Sequence, residues 1–308
     1  MEKLDSTFET FHTPETYHRV DGVHPLDLYV GIDDIPRWSL LLICDSEPPA
    51  LESSKMISVS KRIRSDGRWA LSLSLKDDAY KDIFLLFCGD IIGSTRSFTS
   101  RKTAVDYFAR RYREWREMLA DSRGELLSPN EVKGLLGEMY FLLHYLTPKY
   151  GIEKAALSWT GPRKLPQDFI LDDSWYEAKT ISSGKSEVLI SSVEQLDCCV
   201  PGELIVIQAD KTSTTNERGI NLNQVFHQLL DLFPGDLARS DFCSMLLKYG
   251  YYPRPEYETS EYTFEIKNLL RYAVSSGFPC LRRNEIPTSV VKAEYSISLP
   301  SIESFKKE

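Results

Sequence analysis

The chain has 308 residues, of which 42% are hydrophobic and 27% charged, a composition typical of a globular protein with one or two domains. The net charge of −8 argues against a protein that coats nucleic acid by itself, because phosphate neutralisation drives non-specific binding. The N-terminus is acidic and polar, unlike a signal peptide, and the apolar runs are too short to span a membrane. We therefore expect a cytoplasmic protein with no membrane partner.

The cysteines and histidines show no pattern of metal ligands. Neither the six cysteines nor the five histidines have metal-ligand spacing, and no C-x-x-C pair occurs. Buried free thiols are therefore favoured over zinc ligands or disulfides. The cysteines are Cys44, Cys88, Cys198, Cys199, Cys243 and Cys280.

The first part of the chain is predicted to be rich in strands. Short apolar or alternating runs are separated by turn signals such as Asp66-Gly67. We expect a β-rich, mostly antiparallel N-terminal domain over residues 1–100, without a catalytic motif, followed by a second domain over residues 101–308. The predicted strands are Trp38–Cys44, Met56–Val59, Trp69–Leu75 and Ile83–Phe87.

A helix is predicted from Thr103 to Leu119, because apolar residues recur there at helical spacing. Four arginines decorate the rest of its surface, and they form either a solvated face or a patch that faces phosphates. The sequence leaves both interpretations open. These arginines are Arg110, Arg111, Arg113 and Arg116.

The next helix has a clear start, since Ser128-Pro129-Asn130-Glu131 forms a capping box with proline at the first helical position. Glu138 lies at the margin of its apolar stripe, and taken alone it would be a glutamate that faces solvent. Gly134 and Gly137 bare the backbone beside it and would permit close approach by another element.

The remaining elements alternate between strands and helices, which predicts an α/β (α+β) fold. A buried central strand at Glu203–Ala209 is indicated by a continuous apolar run with β-branched residues. The other predicted strands are Asp168–Leu171, Trp175–Thr180, Val188–Ile190 and a segment from Glu261 onwards. Ser191–Leu196 is predicted to start a helix, and two further helices are predicted at Asn221–Phe233 and Ser240–Tyr249.

The segment from Gln167 to Thr180 carries the candidate chemistry. Side chains alternate faces along a strand, so Glu177 and Lys179 share one face. If Asp172-Asp173 is a two-residue hairpin loop, Asp168 lies directly opposite Glu177. A three-residue loop, Asp172–Ser174, would instead oppose Asp168 to Ala178 and break the pair.

Two opposed carboxylates need a cation between them. Opposed side chains have Cβ atoms about 4.5–5.5 Å apart, and two carboxylate ligands with water suit Mg²⁺. Lys179 could orient a water or stabilise charge on a phosphate. The alternative is a solvent-exposed hairpin face with a Glu–Lys pair. Apolar Phe169, Leu171 and Tyr176 on the opposite face favour the site.

This order of a helical acid, an Asp on one strand, Glu-x-Lys on the next, a helix and a strand resembles the core of PD-(D/E)XK nucleases over about residues 128–211. The resemblance implies a restriction-endonuclease-like mixed sheet flanked by helices. It also implies phosphodiester hydrolysis with Mg²⁺, or Mn²⁺ as a possible substitute. Asp168 and Glu177 would bind the metal, and Lys179 would activate or position the attacking water. Glu138 and Gln195 would support the site.

One departure concerns the proline that gives the superfamily its name. That proline directly precedes the Asp, whereas here Gln167 separates Pro166 from Asp168. Because the proline is not a ligand, the chemistry is little affected.

A narrower resemblance adds a biological setting. The matching segments are Trp159-x-Gly161-Pro162, Asp168-Phe169, Glu177–Thr180, Ile190–Ser192 and Glu194–Leu196. They are similar to a bacterial group of PD-(D/E)XK proteins encoded beside restriction-like and antiphage defence genes. This implies DNA as the favoured substrate and other defence proteins as partners. Two alternatives stay open: a catalytically silent nuclease fold that binds DNA or acts as a scaffold, and an interaction protein whose Glu-x-Lys match is accidental.

Overall fold

The computed structural model describes residues 2–121, 126–163 and 165–307, which form a mixed α+β fold. Its N-terminal part consists of a short helix, then five strands, then two longer helices. These are α1 (Glu2–Glu9), β1 (Tyr17–Arg19), β2 (Asp27–Ile32), β3 (Trp38–Cys44), β4 (Ile57–Ile63), β5 (Trp69–Leu75), α2 (Lys81–Thr95) and α3 (Arg101–Asp121).

The rest of the chain mixes helices with short and long strands. The helices are α4 (Pro129–Phe141), which continues into a π-helical turn at Leu142–Leu146, α5 (Thr147–Tyr150), α6 (Ile152–Ser158), α7 (Leu222–Leu232) and α8 (Asp236–Tyr249). The strands are β6 (Phe169–Ile170), β7 (Trp175–Ile181), β8 (Glu187–Ile190), β9 (Gly202–Lys211), β10 (Gly219–Ile220), β11 (Phe264–Val274) and β12 (Tyr295–Ser298).

The chain divides into two compact units, and the division differs from the expected boundary at residue 100. The first unit contains residues 1–125 together with 235–252, and the second contains 126–234 together with 253–308. Helix α3 and the distant helix α8 therefore both belong with the N-terminal strands.

The strands of the first unit form one antiparallel sheet in the order β1-β2-β3-β5-β4. The predicted antiparallel character and the strands Trp38–Cys44 and Trp69–Leu75 are confirmed. The predicted strand Ile83–Phe87 is wrong, because these residues lie inside α2. A short apolar run fits a buried helix as well as a buried strand, and α2 is buried along most of its length among α1, α3 and α8.

A buried carboxylate joins three helices of the first unit. Asp90 of α2 is 2% exposed and accepts hydrogen bonds from Arg111 and Trp115 of α3 and from Ser240 of α8. Because a buried charge is tolerated only when it is paired and hydrogen-bonded, Asp90 fixes α8 beside α2 and α3.

The arginines of α3 are engaged within the protein. Arg111 binds Asp90, with Nε 2.6 Å from Oδ2. The other three also have partners, which are Glu114 for Arg110, the Ala50 carbonyl for Arg113 and Glu52 for Arg116. These contacts favour the interpretation of a solvated, internally paired face over a dedicated phosphate patch.

The second unit contains the mixed sheet that the sequence predicts. Its order is β10-β11-β9-β7-β6, with β7 and β9 parallel and the other neighbours antiparallel. Strands β8 and β12 form a separate antiparallel pair. The predicted helix start at Ser191–Leu196 is a single 3-10 turn, Val193–Gln195, between β8 and β9.

The two faces of β7 have different neighbours. Helix α4 lies against the face that carries Ala178 and Thr180, and a Cβ on Gly137 would overlap Thr180 Oγ1. The close approach expected at Gly137 is thus confirmed, whereas a Cβ on Gly134 would meet open space. The opposite face carries Trp175, Glu177 and Lys179, and Trp175 packs there in an apolar core with β8, β9 and β12.

The cysteines and the helices bear on the expected class of protein. All six cysteines are free, and the prediction of buried thiols is right for Cys44, Cys88 and Cys243 but wrong for Cys199, which is exposed, and for Cys198 and Cys280, which are partly exposed. Within the described residues, every helix is too short or too polar to cross a membrane.

Candidate active site

The hairpin formed by β6 and β7 has the register that a pair of convergent carboxylates requires. The Leu171 N–H donates to the Ser174 carbonyl at 2.8 Å, so Asp172-Asp173 is the two-residue loop. The predicted loop is confirmed and the three-residue alternative is wrong. The paired residues are Phe169 with Tyr176 and Ile170 with Trp175. The same register places Asp168 opposite Glu177.

Asp168 is held at both its main chain and its side chain. Its carbonyl accepts hydrogen bonds from the N–H groups of Thr160 at 2.7 Å and Gly161 at 3.0 Å. Its Oδ2 accepts from the Ala178 N–H at 2.9 Å. The carboxylate is therefore fixed against β7, and its second oxygen, Oδ1, faces Gly161.

Glu177 is a fully buried carboxylate with incomplete compensation. It is 0% exposed, and Lys179 Nζ lies 2.7 Å from its Oε1. Within the described chain, neither Glu177 oxygen has a hydrogen bond of ordinary geometry. The salt bridge is thus a charge contact with Lys179 that leaves most of the hydrogen-bonding capacity of the carboxylate unused.

Glu203 of β9, in the same sheet, is a buried carboxylate whose charge is fully paired. It is 7% exposed, and its carboxylate accepts hydrogen bonds from Arg271 at 2.8 and 3.0 Å and from Lys307 at 2.8 Å. Although burial raises the pKa of Glu203, these two cations bring it below its ordinary value. Within the part of the chain that the structure describes, Lys179 is the one cation paired with Glu177.

Glu138 joins this pair from helix α4. The predicted capping box at Ser128 starts the helix, and Glu138 is partly buried with its Oε2 accepting a hydrogen bond from Trp159 Nε1 at 2.7 Å. A Cβ placed on Gly161 would lie 2.5 Å from Glu138 Oε2 and 3.1 Å from Asp168 Oδ1. The carboxylates of Glu138 and Asp168 therefore both approach the Cα of Gly161, which has no side chain. Glu138 is thus not a simple solvent-facing residue.

All three carboxyl groups have raised pKa values. Burial raises the pKa of Glu177 to about 8, and the neighbouring charge of Asp168 adds to the effect while Lys179 opposes it. Burial also raises the pKa of Asp168 to about 6, against the opposing effects of Lys179 and the Ala178 N–H. The pKa of Glu138 is raised well above its ordinary value by burial and then by the charge of Asp168. Such a concentration of perturbed acids is typical of functional sites.

Gln195 has a different local setting from the one expected. It lies in the 3-10 turn Val193–Gln195, and its Oε1 accepts a hydrogen bond from the Ser191 N–H at 2.8 Å. The side chain thus closes its own turn, and a role in the site stays a prediction.

The segment from Trp159 to Gln167 contains site residues to which the sequence analysis gave no role. Thr160 Oγ1 donates to the Gln167 carbonyl at 2.7 Å, and the buried Gln167 Nε2 donates to the Glu194 carbonyl at 2.6 Å. The only sequence signal for these contacts was the Trp159-x-Gly161-Pro162 run within the family resemblance.

The donor set fits a hard divalent cation such as Mg²⁺. Among the residues that the structure describes, no three or more His, Cys, Asp or Glu side chains are grouped so that they could hold a metal. Mg²⁺ does not need such a cage, because it is usually bound by one or two carboxylates together with water and substrate phosphates. Asp168 and Glu177 are two carboxylates opposite one another in the hairpin, and within the described chain neither Glu177 oxygen has a hydrogen-bond partner.

Comparison with known proteins assigns the chain to a family. Residues 4–300 match a family described as "Putative PD-(D/E)XK family member, (DUF4420)". The chain belongs to this family. The match extends far beyond the 128–211 core and includes almost the entire chain, and the mixed α+β fold is consistent with a PD-(D/E)XK-like protein. Searches against curated proteins and against solved structures gave no match.

We predict that the metal-free protein loses stability as pH rises through the neutral range, and that Glu177→Gln suppresses part of this loss. Ordinary carboxyl pKa values lie near 4, and the folded pKa of Glu177 is about 8. The folded state therefore holds a proton that the unfolded state has lost, so the contribution of Glu177 is most favourable below pH 4 and declines up to about pH 8. Urea unfolding in EDTA between pH 5 and 9 measures this.

Glu203→Gln is the matched control, because the lowered pKa of Glu203 puts its titration below this pH window. Its stability difference from wild type should be flat between pH 5 and 9. Parallel wild-type and Glu177→Gln curves over the same window would contradict the prediction.

Proposed function

We propose that this protein is a Mg²⁺-dependent nuclease that hydrolyses phosphodiester bonds, with Mn²⁺ as a possible substitute and DNA as the favoured substrate. One observation carries the proposal: Glu177 is fully buried beside Asp168, and neither of its oxygens has an ordinary hydrogen bond within the described chain. A cation bound by both acids would supply the missing positive charge.

The residues have distinct roles in the proposed reaction. Asp168 and Glu177 would hold the metal, which stabilises charge on the phosphate and favours ionisation of water. Lys179, which is 18% exposed and paired with Glu177, would donate to the attacking water or to a phosphate oxygen. Glu138 would support the site from the space beside Gly161, where its carboxylate approaches Asp168. Gln195 stays a weaker candidate for a supporting role.

We place this activity in the cytoplasm, within a bacterial restriction or antiphage defence system and with other defence proteins as partners. The membership in the PD-(D/E)XK-related family supports the nuclease part of this proposal. The net charge of −8 and the internally paired arginines of α3 support the need for a partner that supplies the DNA.

A catalytically silent scaffold or DNA-binding subunit is the second candidate. The salt bridge between Lys179 and Glu177 favours it, because a lysine can replace a cation in neutralising a buried acid. It predicts that the protein neither binds Mn²⁺ at these acids nor cleaves DNA.

We predict that Asp168→Ala, Glu177→Ala and Lys179→Ala each abolish metal-dependent cleavage while the fold is retained. The two acid variants should also lose Mn²⁺ binding, whereas Lys179→Ala should keep it, because only the carboxylates are proposed ligands. Cleavage of plasmid and single-stranded DNA with Mg²⁺ or Mn²⁺ and calorimetric titration with Mn²⁺ provide the two measurements. Glu138→Ala and Gln195→Ala should have smaller effects.

Asp172→Asn is the matched control for the acid variants. Asp172 lies in the same hairpin, but its side chain is 93% exposed and forms an ion pair with the exposed Lys154. It should cleave DNA and bind Mn²⁺ like wild type. Wild-type cleavage by Glu177→Ala would refute the mechanism.

We also predict that Gly161→Ala weakens Mn²⁺ binding by at least about tenfold, the lower end of the effect of disturbing the groups around a metal site. The new methyl group would press on Glu138 Oε2 and Asp168 Oδ1. Gly134→Ala, in open space on α4, is the control and should bind Mn²⁺ like wild type while gaining some helix stability. Equal Mn²⁺ affinity in the two variants would show that the space at Gly161 is not part of the site.

The isolated protein should bind duplex DNA weakly. We expect dissociation constants no tighter than about 10⁻⁶ M at physiological salt, which is the range of non-specific binding. Fluorescence anisotropy across a salt series measures this. Tight binding with a steep logarithmic salt dependence would instead show a strong phosphate-binding surface and remove the argument for a partner.

A further inference from the structure

The loop before β6 brings a tryptophan against the acid of α4. Trp159 is fully buried, and its ring stacks on Phe169 with the ring centroids 6.1 Å apart. Its Nε1 donates to Glu138 Oε2 at 2.7 Å. A buried indole N–H normally needs an acceptor, and here the acceptor is the carboxylate that approaches Gly161 beside Asp168, so the bond also fixes the position of Glu138.

The same short segment holds the second acid. Gly161 donates its N–H to the Asp168 carbonyl at 3.0 Å, and a Cβ at Gly161 would lie 3.3 Å from Trp159 Nε1 and 2.5 Å from Glu138 Oε2. The segment 159–161 thus orients Glu138 through a side chain and Asp168 through the backbone.

Without the indole donor, we expect the Glu138 side chain to rotate away from Asp168 and Gly161. A glutamate side chain has several rotatable bonds, and a partly buried carboxylate that loses its hydrogen bond gains by moving towards water. The Trp159–Glu138 bond is therefore the contact that keeps this carboxylate aimed at the space beside Asp168 and Gly161.

We propose that Trp159 is a positioning residue for the metal site, whose indole N–H orients Glu138 towards Asp168 and thereby increases the affinity of the site for a divalent cation. This inference rests on the proposed nuclease function. Hydrogen bonds that orient the groups around a metal typically change its affinity by about 10- to 100-fold.

Trp159→Phe tests the role, because it keeps an aromatic ring against Phe169 and removes only the donor and part of the ring. The expected result is a loss of Mn²⁺ affinity of about 10- to 100-fold in calorimetric titration of the full chain. Trp115→Phe is the matched control: Trp115 is equally buried and its indole also donates to a buried carboxylate, that of Asp90 in the other unit. Trp115→Phe should leave the Mn²⁺ affinity unchanged even if it lowers the melting temperature.

A double-mutant cycle separates positioning from general packing. If Trp159 acts through Glu138, then Trp159→Phe should have no further effect on Mn²⁺ affinity in a Glu138→Ala background. Effects that simply add would overturn the proposal, since additivity indicates independent action.

The test also distinguishes the two levels of inference. Wild-type protein that binds no Mn²⁺ would overturn the nuclease proposal and this one with it. Wild-type protein that binds Mn²⁺ and is matched by Trp159→Phe would overturn the role of Trp159 alone.

Discussion

The burial of the Glu177 carboxyl group is the constraint on which the candidate site depends. An isolated buried carboxylate is costly, and one salt bridge offsets only part of that cost. Lys179 supplies one cation, whereas Glu203, in the neighbouring strand, has two cations and three hydrogen bonds. The deficit is therefore local to the hairpin and is not a general property of this sheet.

The surrounding structure fixes the positions of Glu177 and Asp168. The parallel pairing of β7 with β9 fixes Glu177 inside the sheet, and Gly137 lets α4 pack directly on the opposite face of β7. Asp168 is bound through its carbonyl to the Thr160 and Gly161 N–H groups and through its carboxylate to the Ala178 N–H. Because Glu177 and Lys179 stand on a regular strand, their relative positions are set more precisely than a loop would allow.

The sequence predicted those features that depend on local periodicity. The alternation of faces along β7 follows from neighbouring residues and agrees with the structure. The two-residue hairpin loop also agrees with the structure, but it was preferred to a three-residue loop because the site requires two opposed carboxylates. The run Ile83–Phe87 was misassigned because five apolar residues do not distinguish a buried strand from a buried helix.

Contacts between distant segments left no signal in the sequence. Ser240 donates to Asp90 across 150 residues, and this contact assigns α8 to the first unit. Likewise, nothing local at Glu138 indicates that the indole of Trp159 will bind it. The family resemblance alone pointed to the segment that contains Trp159.

The carboxylates also bear on whether the site is active or silent. In a scaffold, replacing Glu177 by its uncharged isostere would remove the desolvation cost and leave the backbone pairing of β7 with β9 untouched. The charged form has an advantage only if something positive binds there, since a ligand that binds the folded state alone returns stability to it. Lys179 opposes the effect of burial, but the pKa of Glu177 is still raised to about 8 with that lysine 2.7 Å away. The incomplete pairing of the Glu177 carboxylate beside Lys179 is thus the observation that supports the proposed divalent cation over a purely structural salt bridge.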